Sequence, residues 1–216
     1  MTWMMQVLDA EEVRVLGSLI EKEATTPEYY PLSLNALVNA CNQKSNRDPV
    51  VEYDDETVLT ALDGLREKKL AMVISGSGRV TKYAQRISET LNLGRREVAV
   101  LCTLLLRGPQ TLGEIKDRSE RLFAFADLGE TERVLQKLGE MPEGALVKKL
   151  GRQPGQKEAR YTHLLAGEPP IDSGPGEAPL TGQPSRLSLL EHELQALRSE
   201  FQELRKRFED LEAQFK

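Results

Sequence analysis

The sequence predicts a mainly α-helical protein with small β hairpins, an α+β class, on the strength of three observations. Residues 34–86 read as a helix, a polar loop, a second helix and a two-stranded hairpin in that order. A similar arrangement returns over residues 112–164, and a regular apolar seam fills residues 187–215. A helix followed by a short hairpin is how a winged helix-turn-helix domain ends. The pattern therefore predicts two such domains in tandem, residues 8–90 and 91–166, then a linker over 167–185 and a coiled-coil helix over 186–216.

In the first copy Asp9 is the expected N-cap of the opening helix, with Glu12 three residues on to complete a capping box. Val13, Leu16, Leu19 and Ile20 form its buried stripe. Pro27 breaks the connector that follows, and Tyr30-Pro31-Leu32 is short and extended. Ser33 caps the next helix, whose inward face is Leu34, Leu37, Val38 and Cys41. The polar run 42–49 cannot continue an amphipathic helix, and Pro49 stops it. Asp54 or Asp55 caps the third helix, which places Val58, Leu59, Leu62 and Leu65 on one face and ends at Lys68-Lys69, cations that suit a helix C-terminus. Residues 71–74 and 80–83 are the two strands, joined by a turn in which Gly76 and Gly78 supply positive φ.

Four stretches of the second copy echo the first in the same order. Glu97-Val98 answers Glu12-Val13, Thr111-Leu112 answers Ser33-Leu34, Val134-Leu135 answers Val58-Leu59, and Arg160-Tyr161 answers Lys82-Tyr83. Four matches in register argue for a duplicated fold. The copies differ in their loops: the first has the long polar connection, the second a compact apolar one at 122–127 and a longer, basic wing.

Residues 166–185 carry Pro169, Pro170, Pro175, Pro179 and Pro184 with four glycines and no aromatic residue, the composition of a flexible linker. Beyond it Leu187, Leu194, Phe201, Phe208 and Phe215 fall at heptad position a, and Leu190, Leu197, Leu204 and Leu211 at d. A parallel pair would set Glu193 against Arg198, Glu200 against Arg205 and Arg207 against Glu212, all opposite in sign, so self-association is expected through this seam. A helix folded back on its own domains is the alternative.

The chain has 216 residues, of which 39% are hydrophobic and 29% charged, as suits small helical domains with much exposed surface. Its net charge of −5 lacks the basic signature of many nucleic-acid binders, yet the charge is uneven. Residues 92–166 hold thirteen Lys/Arg against ten Asp/Glu, or +3, whereas residues 1–91 hold ten against fourteen. No signal peptide or membrane span is discernible, so a cytoplasmic location with no membrane association is expected. Cys41 and Cys102 sit in helical patterns and are expected to be buried free thiols, and no metal-ligand spacing appears. With no phosphate loop, nucleophile elbow or paired-carboxylate motif, neither an enzyme nor a cofactor is expected.

The runs Asn42-Gln43-Lys44-Ser45-Asn46-Arg47-Asp48-Pro49-Val50 and Gln153-Pro154-Gly155-Gln156-Lys157-Glu158-Ala159-Arg160-Tyr161 closely resemble the bacterial YceH family. The resemblance covers residues 8–165 and implies a tandem winged-helix fold. It implies DNA binding through the fold alone, for the family is an uncharacterised one.

Three surfaces are candidates. The third helix of the first copy would face phosphates with Asp54, Asp55, Glu56, Asp63 and Glu67 against Arg66, Lys68 and Lys69, a balance that opposes DNA. In the second copy Arg133, Gln136 and Lys137 project from the matching helix and Lys148, Lys149, Arg152, Lys157 and Arg160 from the wing; a charged, soluble hairpin is the plainer reading. Asn42, Gln43, Lys44, Asn46 and Arg47 offer groups for phosphate or another anionic ligand, or serve only as local turn contacts and solvated charges. The leading expectation is a DNA-associated regulatory dimer contacting double-stranded DNA through the second wing. The alternative is a protein-interaction scaffold using the acidic first domain, without direct DNA binding.

Overall fold

The computed structural model describes residues 7–74, 80–142, 144–152 and 158–168. Its element order is α1 (Ala10–Thr25), a 3-10 turn (Pro27–Tyr29), β1 (Leu32–Ser33), α2 (Leu34–Cys41), α3 (Asp55–Glu67), β2 (Ala71–Ile74), β3 (Lys82–Gln85) and α4 (Ile87–Thr90). There follow α5 (Arg95–Arg107), β4 (Gln110–Thr111), α6 (Leu112–Ser119), α7 (Leu128–Gly139), β5 (Val147–Lys149) and β6 (Arg160–His163). The class is α+β, as the periodicity predicts. The first hairpin turn, Lys157 in the second wing, the linker and the heptad seam lie outside the described residues. No helix among the described residues is long and apolar enough to cross a membrane.

The caps expected at Asp9 and Ser33 form, and of Asp54 and Asp55 it is Asp54 that caps the third helix. Asp9 accepts from the Glu12 amide at 2.7 Å and Glu12 accepts from the Asp9 amide at 3.0 Å, so each satisfies one orphan donor of the first turn. Ser33 and Thr111 cap α2 and α6 from backbone of the same geometry, and Asp54 and Asp127 cap α3 and α7. Helix order, caps and strand order therefore repeat together. Each copy contains not a two-stranded hairpin but a three-stranded antiparallel sheet, ordered β1-β3-β2 and β4-β6-β5. The added strands are only two residues long, too short to show alternation, and each leads directly into the cap of the next helix. Tyr83 pairs with Leu32 and Tyr161 with Gln110, and both tyrosines are buried, so they serve packing.

The same ion pair holds helix to helix in both copies. Glu12, 2% exposed, meets the Lys68 ammonium at the end of α3, and Glu97 meets Lys137 in the last turn of α7 at 2.6 Å. In the first copy Gly64 leaves the room: a Cβ there would run into the Glu12 carboxylate.

Two burial expectations need correction. On α3 the inward face is Val58, Ala61, Leu62 and Leu65, while Leu59 is turned outward; adjacent Val58 and Leu59 lie about 100° apart on a helix, and it is Val58 that faces the core. On α1 burial extends well beyond the stripe Val13, Leu16, Leu19 and Ile20 to Arg14, Val15, Gly17 and Ser18. The cause is α5, whose central residues Ala99 to Leu106 are likewise all buried. Each helix is covered by its own copy on one side and by the other helix on the opposite side.

Gly17 is the point of closest approach. A Cβ at this position would stand 2.8 Å from Leu106 Cδ2 and 3.2 Å from Leu105 Cβ, and Cys102 Sγ sits 3.4 Å from the Gly17 carbonyl. Both cysteines are free and buried. The result is one hydrophobic core that runs through both copies.

Gly17→Val is expected to lower the free energy of unfolding by about 1–3 kcal/mol, through overpacking of this crossing. Gly113→Ala on α6, where nothing lies within 4 Å of the new methyl, should be neutral or gain up to about 1 kcal/mol from helix propensity. Urea unfolding of the two variants beside the parent measures both; a tolerated valine would mean that the helices do not cross at Gly17.

Candidate nucleic-acid interface

The face proposed by charge in the second copy is built from α7, β5 and β6. Asp127 starts α7 so that Thr131, Val134, Leu135 and Leu138 face the core, which leaves Arg133, Gln136 and Lys137 exposed on the outer side. In β5, Val147 points inward and Lys148 and Lys149 are exposed, and Arg152 just beyond the strand is exposed too. An open groove of about 740 Å³ between helix and sheet is lined by Arg133, Gln136, Lys148, Lys149 and Tyr161, with Glu132, Glu140 and Glu168 along it. A second hollow of about 550 Å³ continues past Arg133, Gln136 and Lys137 to Leu91 and Asn92.

The candidate cations are not equally available. Lys137 is committed to Glu97, whose carboxyl burial would raise but the Lys137 ammonium holds below its ordinary value. Because Lys68 pairs with Glu12 at the matching place in the first copy, this lysine is accounted for by the architecture. Arg160 donates to the Pro109 carbonyl at 2.8 Å and to Glu114 at 3.3 Å, fastening β6 to the start of α6. Lys148 meets Glu168 at 2.9 Å with both groups well exposed, a pair of small energetic weight. Gln136 donates to Glu140 at 3.0 Å, and the Lys149 ammonium lies 5.5 Å from the centre of the Tyr161 ring. Arg133 and Arg152 make no ion pair among the described residues. Spacing alone could not separate these cases, because the acids that occupy Lys137 and Arg160 lie 40 and 46 residues away.

The polar loop of the first copy is mostly internal framework. Arg47, buried rather than solvated, donates to both Glu21 oxygens at 3.1 and 2.6 Å, to the Ala40 carbonyl at 2.9 Å and to Gln43 at 3.2 Å. Asn42 clasps the far end of the loop, donating to the Tyr53 carbonyl at 2.7 Å and accepting from its amide at 2.8 Å. Asn46, at φ 61°, accepts from Arg107, and the Asp48 amide donates to the Leu106 carbonyl at 2.9 Å. Lys44 alone of the five candidates is exposed. The loop thus ties the first copy to the end of α5. Arg14 also reaches it, at the Pro49 carbonyl; burial, reinforced by Arg47, pushes its pKa down.

Burial by itself would raise the Glu21 carboxyl, but the two bonds from Arg47 and the nearby Lys22 outweigh it and hold the group below the carboxylate range. Removing one member leaves an uncompensated buried charge. Arg47→Met should therefore cost about 3–5 kcal/mol in urea unfolding, and adding Glu21→Met should recover much of it. An additive double variant would refute the coupling.

His163 behaves in the opposite sense to an ion-paired group. Burial lowers its pKa to about 4, its Nδ1 is enclosed, and that nitrogen has no partner among the described residues. The whole residue is only half-buried, so the effect is smaller than for a sealed imidazole. Unfolding takes up a proton between the two pKa values, so this contribution is complete above about pH 6.5 and is lost as the pH falls toward 4. Stability measured at pH 7 and pH 5 should fall more in the parent than in His163→Phe; equal falls would overturn the assignment.

The family model described as a protein of unknown function, DUF480, matches residues 8–156. A UPF0502 protein of Solibacter usitatus is 56% identical over 193 residues, covering 88% of this chain and 92% of its own length. Those of Pelobacter propionicus and Geobacter sulfurreducens are 53% and 50% identical, covering 90% and 88% of this chain and 91% and 90% of their own lengths. With the family match covering residues 8–156 and relatives at 50% identity or more aligned over about nine-tenths of both chains, the chain belongs to the DUF480 (UPF0502) family of bacterial proteins.

Proposed function

We propose that both copies are winged helix-turn-helix modules and that the chain is a non-enzymatic, cytoplasmic regulatory protein that contacts double-stranded DNA through its second copy. The observation that carries the reading is the groove in which Arg133 and Gln136 of α7 and Lys148 and Lys149 of β5 face one open space. A helix flanked by a basic hairpin suits a major groove and its phosphates, with Gln136 and Arg133 able to donate to base edges and the lysines to the backbone. Self-association through residues 186–216 would bring two such faces together and raise a weak affinity through effective concentration.

A second reading has its own support. The exposed face of α3 presents Asp55, Glu56, Asp63 and Glu67 around outward-facing Leu59, a surface suited to a basic protein partner. Under it the chain is a scaffold and its second copy need not touch DNA.

Titration of full-length protein against a labelled duplex at increasing salt separates the two. Arg133→Gln with Lys149→Gln should weaken binding and reduce the salt slope by about one for each phosphate contact removed. Asp63→Asn on α3 should leave it unchanged or slightly tighter. Absence of binding at low salt, with nuclease-resistant capture of a stoichiometric protein that depends on α3, would replace the DNA reading with the scaffold.

A further inference from the structure

The loop that the sequence offers as an anion contact gives up Arg47 to Glu21, yet the other end of the same loop borders a second basic place. Arg107 closes α5, Arg118 lies in the last turn of α6, and Arg121 follows that helix. All three line one crevice of about 40 Å³ together with Asn46, Thr103 and Glu21. The crevice is bounded by α1 and the loop of the first copy and by α5 and α6 of the second.

Its charge balance favours an anion. Glu21 is neutralised by the bidentate contact from Arg47, and Glu114, the nearby acid, is divided between Arg118 at 3.2 Å and Arg160 at 3.3 Å. Arg107 and Arg121 have no carboxylate partner among the described residues; Arg107 meets only the amide oxygen of Asn46. The guanidinium of Arg107 is accordingly pushed down, by burial and then by Arg118 and Arg47. Three arginines held close with too few acids leave a positive excess that a bound anion would offset.

Size limits the class. About 40 Å³ is a few times what one water requires, enough for a single tetrahedral oxyanion and too small for a nucleoside. We infer that the crevice bordered by Arg107, Arg118 and Arg121 is a binding site for a phosphate-class oxyanion, which joins the first copy's loop to the helix ends of the second. The guanidinium groups donate to the anion, and the Asn46 contact to Arg107 carries its effect to the loop. This site is separate from the α7 groove and stands whether or not that groove takes DNA.

The test uses the full chain, with thermal unfolding and calorimetric titration against inorganic phosphate, sulfate and chloride at matched ionic strength. Phosphate is expected to give a saturable upward shift in melting temperature that chloride does not give. Arg118 and Arg121 are exposed, so Arg118→Gln with Arg121→Gln should fold normally and weaken phosphate binding about tenfold or more. Phenyl phosphate distinguishes the source: binding like that of the free ion extends the site to monoester ends, and exclusion restricts it to the inorganic ion, both upholding an oxyanion site. A shift no larger than that of chloride, or one unchanged in the double variant and in Arg121→Gln alone, overturns the proposal.

Discussion

The crossing of α1 and α5 at Gly17 is the contact on which the remaining structure depends. It brings the two copies near enough for the Gly17 carbonyl to meet the Cys102 thiol and for Leu105 and Leu106 to close over a glycine. A side chain at that point would hold the helices apart. With them together, α1 and α5 are buried on nearly every face, and two modules each too small for a large core share one. The polar loop reinforces the same junction from outside, through Asp48 to Leu106 and Asn46 to Arg107.

Duplication explains which polar residues belong to the framework. Glu12 with Lys68 and Glu97 with Lys137 are the same buried-acid arrangement made twice, joining the first helix of each copy to the end of its third. A buried carboxylate is costly unless a cation satisfies it, so wherever the helix packing recurs the lysine must recur. That reading removes Lys137 from the free surface charge of the second copy and leaves Arg133, Lys148, Lys149 and Arg152 as the cations that differentiate its outer face. The two copies diverge in what they present outward: acid around Leu59 on α3, and on the second copy a mixed α7 face in which Arg133 lies among Glu132, Gln136 and Glu140 beside the lysines of β5.

The long connection after α2 acquires a purpose from this architecture. A loop of amides and cations looks on paper like a solvated or ligand-facing segment. Within the fold, Arg47 is satisfied at short range by Glu21 and the Ala40 carbonyl and Asn42 by Tyr53, none of which follows from local spacing. Charge placed at the junction then exceeds what the carboxylates there can balance, and the surplus collects at Arg107 and Arg121 rather than in the loop itself.

Local chemistry was enough to read the caps at Asp9 and Ser33, the choice of Asp54 or Asp55 at the third helix, the helices they open, the matched tyrosines and the duplication, because each depends on residues a few positions apart or on register between copies. Leu59 turns outward because adjacent apolar residues on a helix compete for one inward direction, and only the packing of α3 against the core settles that Val58 takes it. The short strands β1 and β4, the all-round burial of α1, the commitment of Arg47 to Glu21 and the gathering of three arginines in one crevice were decided by tertiary structure. In each case the partner is distant in the chain, and electrostatic and packing energies follow separation in space rather than in sequence.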